Sequence, residues 1–439
     1  VILFPLAHGI GGVQDLPLPR WLFLYGAAVV LVLSFAALAL LWRRSLLDEP
    51  GTPAPRWLDR FVRSGALRVV AGGAALFLFA VVLVAAAVGD RSTATNIAPV
   101  SVWVVFALVV PVLSVLLGNV WALACPWRAA ADGAAWLAGR GGLRWRPLAY
   151  PERAGRWPAA LLLFGFTALE LVYSNPSDPR VLAVAIGLYS WIAWLGMLTF
   201  GRDAWIRRGE AFAVYFGLLS RLAPVGVEGG RLVVRRPLGS VSHREEPPGT
   251  VAIVAVMLGS VAFDGTQRTS FWQDRLSAAS SRTLLNFVGL ALAVVLVALT
   301  FRLAVRAAEL LSGNRADLAN AFVASLIPIA FAYVVAHYFS LVVTEGQLVI
   351  PLASDPLGRG WDLFGTAGYQ LNLQPVSPHG IWYVQCGALV IGHVLGLAVA
   401  HDRAISLARS ARAATLSQVP LLCLMVLYTV GGLWLLSSG

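Results

Sequence analysis

The chain has 439 residues, 58% of them apolar and only 13% charged, and its mean hydropathy is +0.76. A soluble domain carries about 25% charged residues, so this deficit excludes an ordinary globular enzyme. The formal net charge of +11 comes from arginine, because the sequence has no lysine; its confinement to gaps between apolar runs argues for orientation beside anionic lipid and against nucleic acid.

In chain order, Val1–Ala7 (VILFPLA) has the form of the tail of a secretory signal. Cleavage after Ala7 would leave His8 as the amino terminus, although Pro5 at the −3 position is not the preferred small residue. Residues 1–20, with His8-Gly9-Ile10-Gly11-Gly12 and Asp15-Leu16-Pro17-Leu18-Pro19, read as an irregular external segment, and 21–439 as one polytopic transmembrane domain. Apolar runs follow at Trp21–Trp42, Val69–Val88, Pro99–Ala124, Pro158–Ser174, Val181–Phe200, Thr250–Phe263, Leu284–Phe301, Asp317–Val343, Gly380–Ala400 and Thr415–Leu436. Most approach the roughly 20 residues needed to cross about 30 Å of hydrocarbon.

Arginines fill alternate gaps: Arg43 to Arg68, Arg128 to Arg156, Arg202 to Arg244, Arg302 to Arg315 and Arg403 to Arg412. Basic residues are retained on the cytoplasmic side. The expected fold is therefore an all-α integral membrane protein of about ten transmembrane helices in a bacterial inner (plasma) membrane, with both termini outside. Within the cytoplasmic loop 202–249, Ala204–Leu222 interleaves aromatics with Arg207, Arg208, Glu210 and Arg221 and predicts one amphipathic helix in the interface. Gly229–Arg236 suits a short β-hairpin. The external loop 346–379 holds Asp355, Arg359 and Asp362, read as a salt-bridge network. Cys125, Cys386 and Cys423 lack metal or disulfide spacing and read as small apolar residues.

Ionisable groups inside spans are expensive, so they are the first functional candidates. The expected topology places Glu170, Asp264, His337 and Gln385 at similar depth in the outer leaflet, with Glu345 at the mouth of the eighth span. His393 lies roughly 10 Å deeper than His337 by helical rise, and His401 and Asp402 at the cytoplasmic edge. His337, Asp264 and His8 have the ligand types for one divalent transition metal (Cu, Zn or Fe), with Glu170 or Glu345 moving protons. Against this, no HxxH, HxxxH or HExxH pair is present, and a lone intramembrane histidine often only bonds a neighbouring helix.

The chain resembles a group of actinobacterial multi-pass membrane proteins known as fenitrothion hydrolases. The resemblance lies in His8-Gly9-Ile10-Gly11-Gly12, Phe263-Asp264-Gly265 with Arg268-Thr269, Ala336-His337-Tyr338-Phe339-Ser340, Ser354-Asp355-Pro356 with Gly358-Arg359-Gly360-Trp361-Asp362, Gly392-His393 and Ala400-His401-Asp402-Arg403. It implies hydrolysis of an organophosphate ester. Three functions follow as expectations: a metal-assisted hydrolase or oxidase open to amphipathic small molecules from the lipid; a permease for a small solute, proton or metal ion; and a scaffold of a membrane complex.

Overall fold

The computed structural model describes residues 19–47, 49–141, 145–241, 246–313, 317–408 and 410–437. The expectations for residues 1–18, among them a metal-binding His8, lie outside the described residues. Among the described residues the regular structure is almost all helical, which satisfies backbone polar groups where no water can reach them. Its principal helices are α1 (Arg20–Leu41), α2 (Gly65–Val88), α3 (Ile97–Leu117), α4 (Pro126–Arg140), α5 (Trp157–Leu171), α6 (Pro179–Phe200), α7 (Arg202–Arg208), α8 (Ala211–Leu219), α9 (Thr250–Gln267), α10 (Arg282–Ser312), α11 (Leu326–Thr344), α12 (Pro378–Leu407) and α13 (Ala411–Leu436). Among the described residues, nine helical stretches are long and apolar enough to cross a membrane. The segment expected as the fourth span is α5, whose 15 residues fall short of that length.

The connections gather at two ends. At the arginine-rich end, β1 (Thr52–Pro53) and β2 (Val225–Glu228) both pair antiparallel with β3 (Arg231–Val234). The β2–β3 hairpin turns through Gly229 and Gly230, whose φ of 54° and 78° suit glycine in a two-residue turn. Asp132 pairs with Arg202 at 2.5 Å and Arg128 with Asp203 at 2.9 Å. At the arginine-poor end, the last carbonyls of α2 are capped from three directions. Asn96 donates to Ala85 O, Arg180 to Ala86 O and Gly89 O, and Arg359 to Val88 O.

Asp355 and Asp362 in the long loop at this end accept backbone N–H groups: Arg359 and Gly360 for Asp355, Ala367 for Asp362. The expected salt-bridge network is thus a set of loop-closing turns, because short acidic side chains reach their own backbone first.

The span windows within Thr250–Gln267 and within Leu318–Ser354, which contains α11, are 72% and 67% buried inside the protein, against 11% for α1. Polar residues on α9 and α11 therefore face protein. Glycines allow the close contacts: a Cβ on Gly396 of α12 would lie 2.6 Å from Ser325 O, and one on Gly392 would lie 3.0 Å from Pro328 O.

The stretch 204–222 is not one amphipathic helix. It breaks at Gly209–Glu210 into α7 and α8, and Phe212, Phe216, Leu218 and Leu219 of α8 are buried. The physical reason is that α8 is apolar all round, so burial in protein satisfies it better than an interface does.

Candidate functional site

Three helices assemble the polar site. Asp264 sits one turn before the end of α9, His337 and Tyr338 lie on α11, and Glu170 is one residue from the end of α5. The ends of α9 and α5 are tied by Gln267, which donates to Leu171 O at 3.0 Å. Asp264 Oδ2 lies 2.7 Å from His337 Nε2 and accepts the Tyr338 hydroxyl at 3.0 Å. Arg268, which ends α9, places Nη2 3.2 Å from the same His337 nitrogen and 3.8 Å from Asp264 Oδ1. Glu170 is close enough to feel both Asp264 and Tyr338 electrostatically.

Asp264, His337 and Tyr338 are all buried, whereas the Arg268 side chain keeps 25% of its exposure. The guanidinium therefore forms a lip between a closed pair and the arginine-poor end. A 2.7 Å contact between an imidazole nitrogen and a carboxyl oxygen requires one hydrogen, donated by the ring N–H to a carboxylate or by a carboxyl O–H to the bare ring nitrogen. This arrangement can exchange a proton. A divalent cation held by His337 Nε2 and Asp264 Oδ2 would first have to drive Arg268 away, since like charges at such distances repel strongly. Among the described residues, no group of three or more His, Cys, Asp or Glu side chains is placed to hold a metal ion.

The other candidates lie apart or play structural parts. Gln385 is buried on α12, one turn before Leu389, which shares an apolar cluster with Ala336 of α11. Glu345 is partly buried, in the 3₁₀ turn that follows α11. His393 is fully buried; its Nδ1 bonds Leu389 O at 2.8 Å and Nε2 has no partner. Its ring meets the edge of Tyr333 at 5.9 Å.

His401 and Asp402 clasp the chain that follows α1. His401 Nδ1 faces Gln418 Oε1 at 2.8 Å and Nε2 faces Trp42 O at 3.0 Å. Asp402 accepts from Ser45 Oγ and from the backbone N–H of Leu46.

One functional candidate escaped the sequence reading. Glu210 is fully buried and caps α8 by accepting from Phe212 N at 3.0 Å and Ala213 N at 2.6 Å, and it also accepts the Tyr189 hydroxyl. The available signal was Gly209-Glu210 breaking an apolar helix, a pattern that also fits an exposed interfacial charge. Above it runs α3, whose centre, Ser101–Val109, is π-helical; such stretches are rare and recur at functional sites. One face of this π-helix, with Val104 and Leu108, packs with Tyr338 and Leu341. Another, with Phe106, packs on Phe212 and Phe216. The π-helix therefore stands between the Asp264–His337 pair and Glu210.

Fold and site together define a polytopic α-helical membrane protein with a buried ionisable cluster. No family model matches the chain, and no curated protein or solved structure matches it.

Proposed function

We propose that this protein is a proton-coupled permease of a bacterial inner membrane, with its arginine-poor end outside and the Asp264–His337 pair as the proton-exchanging element. The observation that carries the reading is the pair of helices, α4 and α8, whose amino termini begin inside the bundle and whose carboxyl ends return to the arginine-rich end. Trp127, at the start of α4, bonds Ser190 at 2.8 Å, and Ser190 lies ten residues, about 15 Å, before the end of α6. Phe212, at the start of α8, meets Phe166 at 5.1 Å. Irregular backbone at such depth is tolerated where it lines a route or a site, and discontinuous helices are the recurring device of transporters.

In this reading Arg268 moves aside to admit water, Asp264 and His337 trade a proton, and Tyr338 and Glu170 extend the relay sideways at the same depth. The test is proton uptake into proteoliposomes carrying an internal pH-sensitive dye, under an imposed pH gradient. Wild type is expected to acidify the lumen several-fold faster than Asp264→Asn; equal rates, at the level of empty liposomes, would remove the reading.

A hydrolase is the second reading, favoured by one observation. The segments Phe263-Asp264-Gly265, Arg268-Thr269 and Ala336-His337-Tyr338, which carry the resemblance to fenitrothion hydrolases, converge on a single cluster. Here Asp264 and His337 would serve as general base and Arg268 would stabilise a phosphoryl oxygen, with or without a metal. Turnover of an aryl phosphotriester by purified protein, lost in His337→Gln, would support it; no turnover above buffer, with and without added Zn, Cu or Fe, would set it aside.

A further inference from the structure

We infer that the Glu210 carboxylate occupies an anion site built into the interior of the bundle, which takes a small monovalent anion when that side chain withdraws. This names a ligand class for the permease reading, but binding at Glu210 stands or falls without any transport.

Three observations bear on the site. First, two helix amino termini, those of α4 and α8, reach the same interior region, and α4 has 15 residues and α8 nine. Each presents backbone N–H groups and the positive end of its dipole, which favours an anion. Second, the donors are already arranged on a carboxylate: Phe212 N, Ala213 N and the Tyr189 hydroxyl all point at Glu210. Third, the buried Trp121 indole N–H meets no acceptor at hydrogen-bond geometry, yet Glu210 is its near neighbour. An unmade donor inside protein costs free energy, and an anion a little larger or differently placed than the tethered carboxylate would recruit it.

The walls are aromatic. Trp121, Trp127, Phe106, Phe212 and Phe216 are packed ring to ring, with Trp121 and Phe216 centroids 5.3 Å apart. Ring edges carry partial positive charge and tolerate an anion that has shed part of its water. Such walls select a weakly hydrated monovalent ion over a strongly hydrated divalent one, because burying a second charge raises the desolvation cost steeply. No covalent step is involved. Glu210 acts as a tethered anion that competes with the free one.

The experiment is thermal unfolding of the detergent-purified full chain in nitrate against equal gluconate. It uses wild type, Glu210→Ala, Glu210→Gln and the double variant Glu210→Ala with Tyr189→Phe. The site predicts a saturable rise in Tm with nitrate in Glu210→Ala and Glu210→Gln that wild type lacks near pH 7.5. It also predicts a nitrate midpoint weakened about tenfold in the double variant, the effect of one lost bond to a charged group. Folded variants with the same Tm in nitrate and gluconate overturn the proposal and leave Glu210 as a helix cap only. Should neither variant fold, wild type decides between about pH 7.5 and about pH 4.5. Nitrate stabilisation that grows as the carboxylate gains a proton supports the site; identical Tm in both salts throughout refutes it. The readout is binding in detergent, so its outcome is separate from that of the proton-uptake test.

Discussion

Asp402 Oδ1 accepts the Trp42 indole N–H at 3.1 Å, which joins the residue after α1 to a helix 360 positions later in the chain. The same carboxylate accepts from Ser45 and from the backbone of Leu46 and Leu47. Asp402 is fully buried, and these donors stabilise its charge there. Asp402→Ala should expose residues 42–47 to protease at the arginine-rich end and lower stability by about 3 kcal/mol. Asp402→Asn keeps one oxygen acceptor and should lose clearly less. Limited proteolysis with mass-spectrometric mapping separates the two; an unchanged cleavage pattern in Asp402→Ala would contradict the clasp.

Glu246 is held between two arginines. Arg156 Nη1 approaches it at 2.6 Å and also donates to Thr250 Oγ1 at 3.0 Å, while Arg221 pairs with its other oxygen. The three residues join the starts of α5 and α9 to the turn after α8. Removing a buried partner leaves uncompensated charge, so Glu246→Ala should cost about 3–5 kcal/mol. Detergent-melt curves check this; a loss under about 1 kcal/mol, the range of an exposed pair, would show the network is solvated.

The α2–α3 connection is sensitive to acid. Asp90 is exposed, and the Thr95 hydroxyl and then the Arg91 and Ser92 backbone N–H groups hold its carboxyl below the ordinary carboxylate value. A folded pKa lowered below the unfolded one stabilises above the unfolded value and is lost as pH falls through the folded value. Asp90→Asn should therefore melt slightly below wild type near pH 6 and coincide with it at about pH 2–3. A gap that persists in acid would place the interaction elsewhere.

The seam between α11 and α12 depends on small residues. Gly392 lies against Ala332 and Pro328 O, and Gly396 against Ser325 O and Ile329. Gly396→Val has no flexible neighbour to displace at Ser325 O, so it should destabilise by at least about 1–3 kcal/mol of overpacking. It should also disturb His337 through α11, lowering proton uptake, whereas Gly431→Ala, with open space around its Cβ position, should leave both unchanged.

Much of the architecture was legible because lipid imposes simple rules. Apolar runs of sufficient length became helices such as α2, α6 and α10, and the arginine-bearing gaps did gather at one end, as Arg202 with Asp132 and Arg156 with Glu246 illustrate. Helical rise placed Asp264 and His337 at one depth, and they are bonded. Rise along a helix says nothing, however, about which neighbour a residue faces. The parts played by Asp402 and by Arg180 on α2 carbonyls could therefore not be read from spacing. Glu210 was hidden for a different reason. Between Arg208 and a run of aromatics it matches an interfacial helix, and only the turn at Gly209, which buries α8 in protein, converts that charge into an interior one. The π-helical centre of α3 has no pattern in single-sequence periodicity, since every residue after Ser101 is apolar.

Whether Asp264 and His337 share one exchangeable proton, as proposed, is open to pH-difference infrared spectroscopy of reconstituted protein. Wild type, Asp264→Asn and His337→Gln are compared across a pH titration. A carboxyl band should titrate in wild type, vanish in Asp264→Asn and shift its midpoint in His337→Gln. A carboxyl band that titrates identically with and without His337 would contradict it.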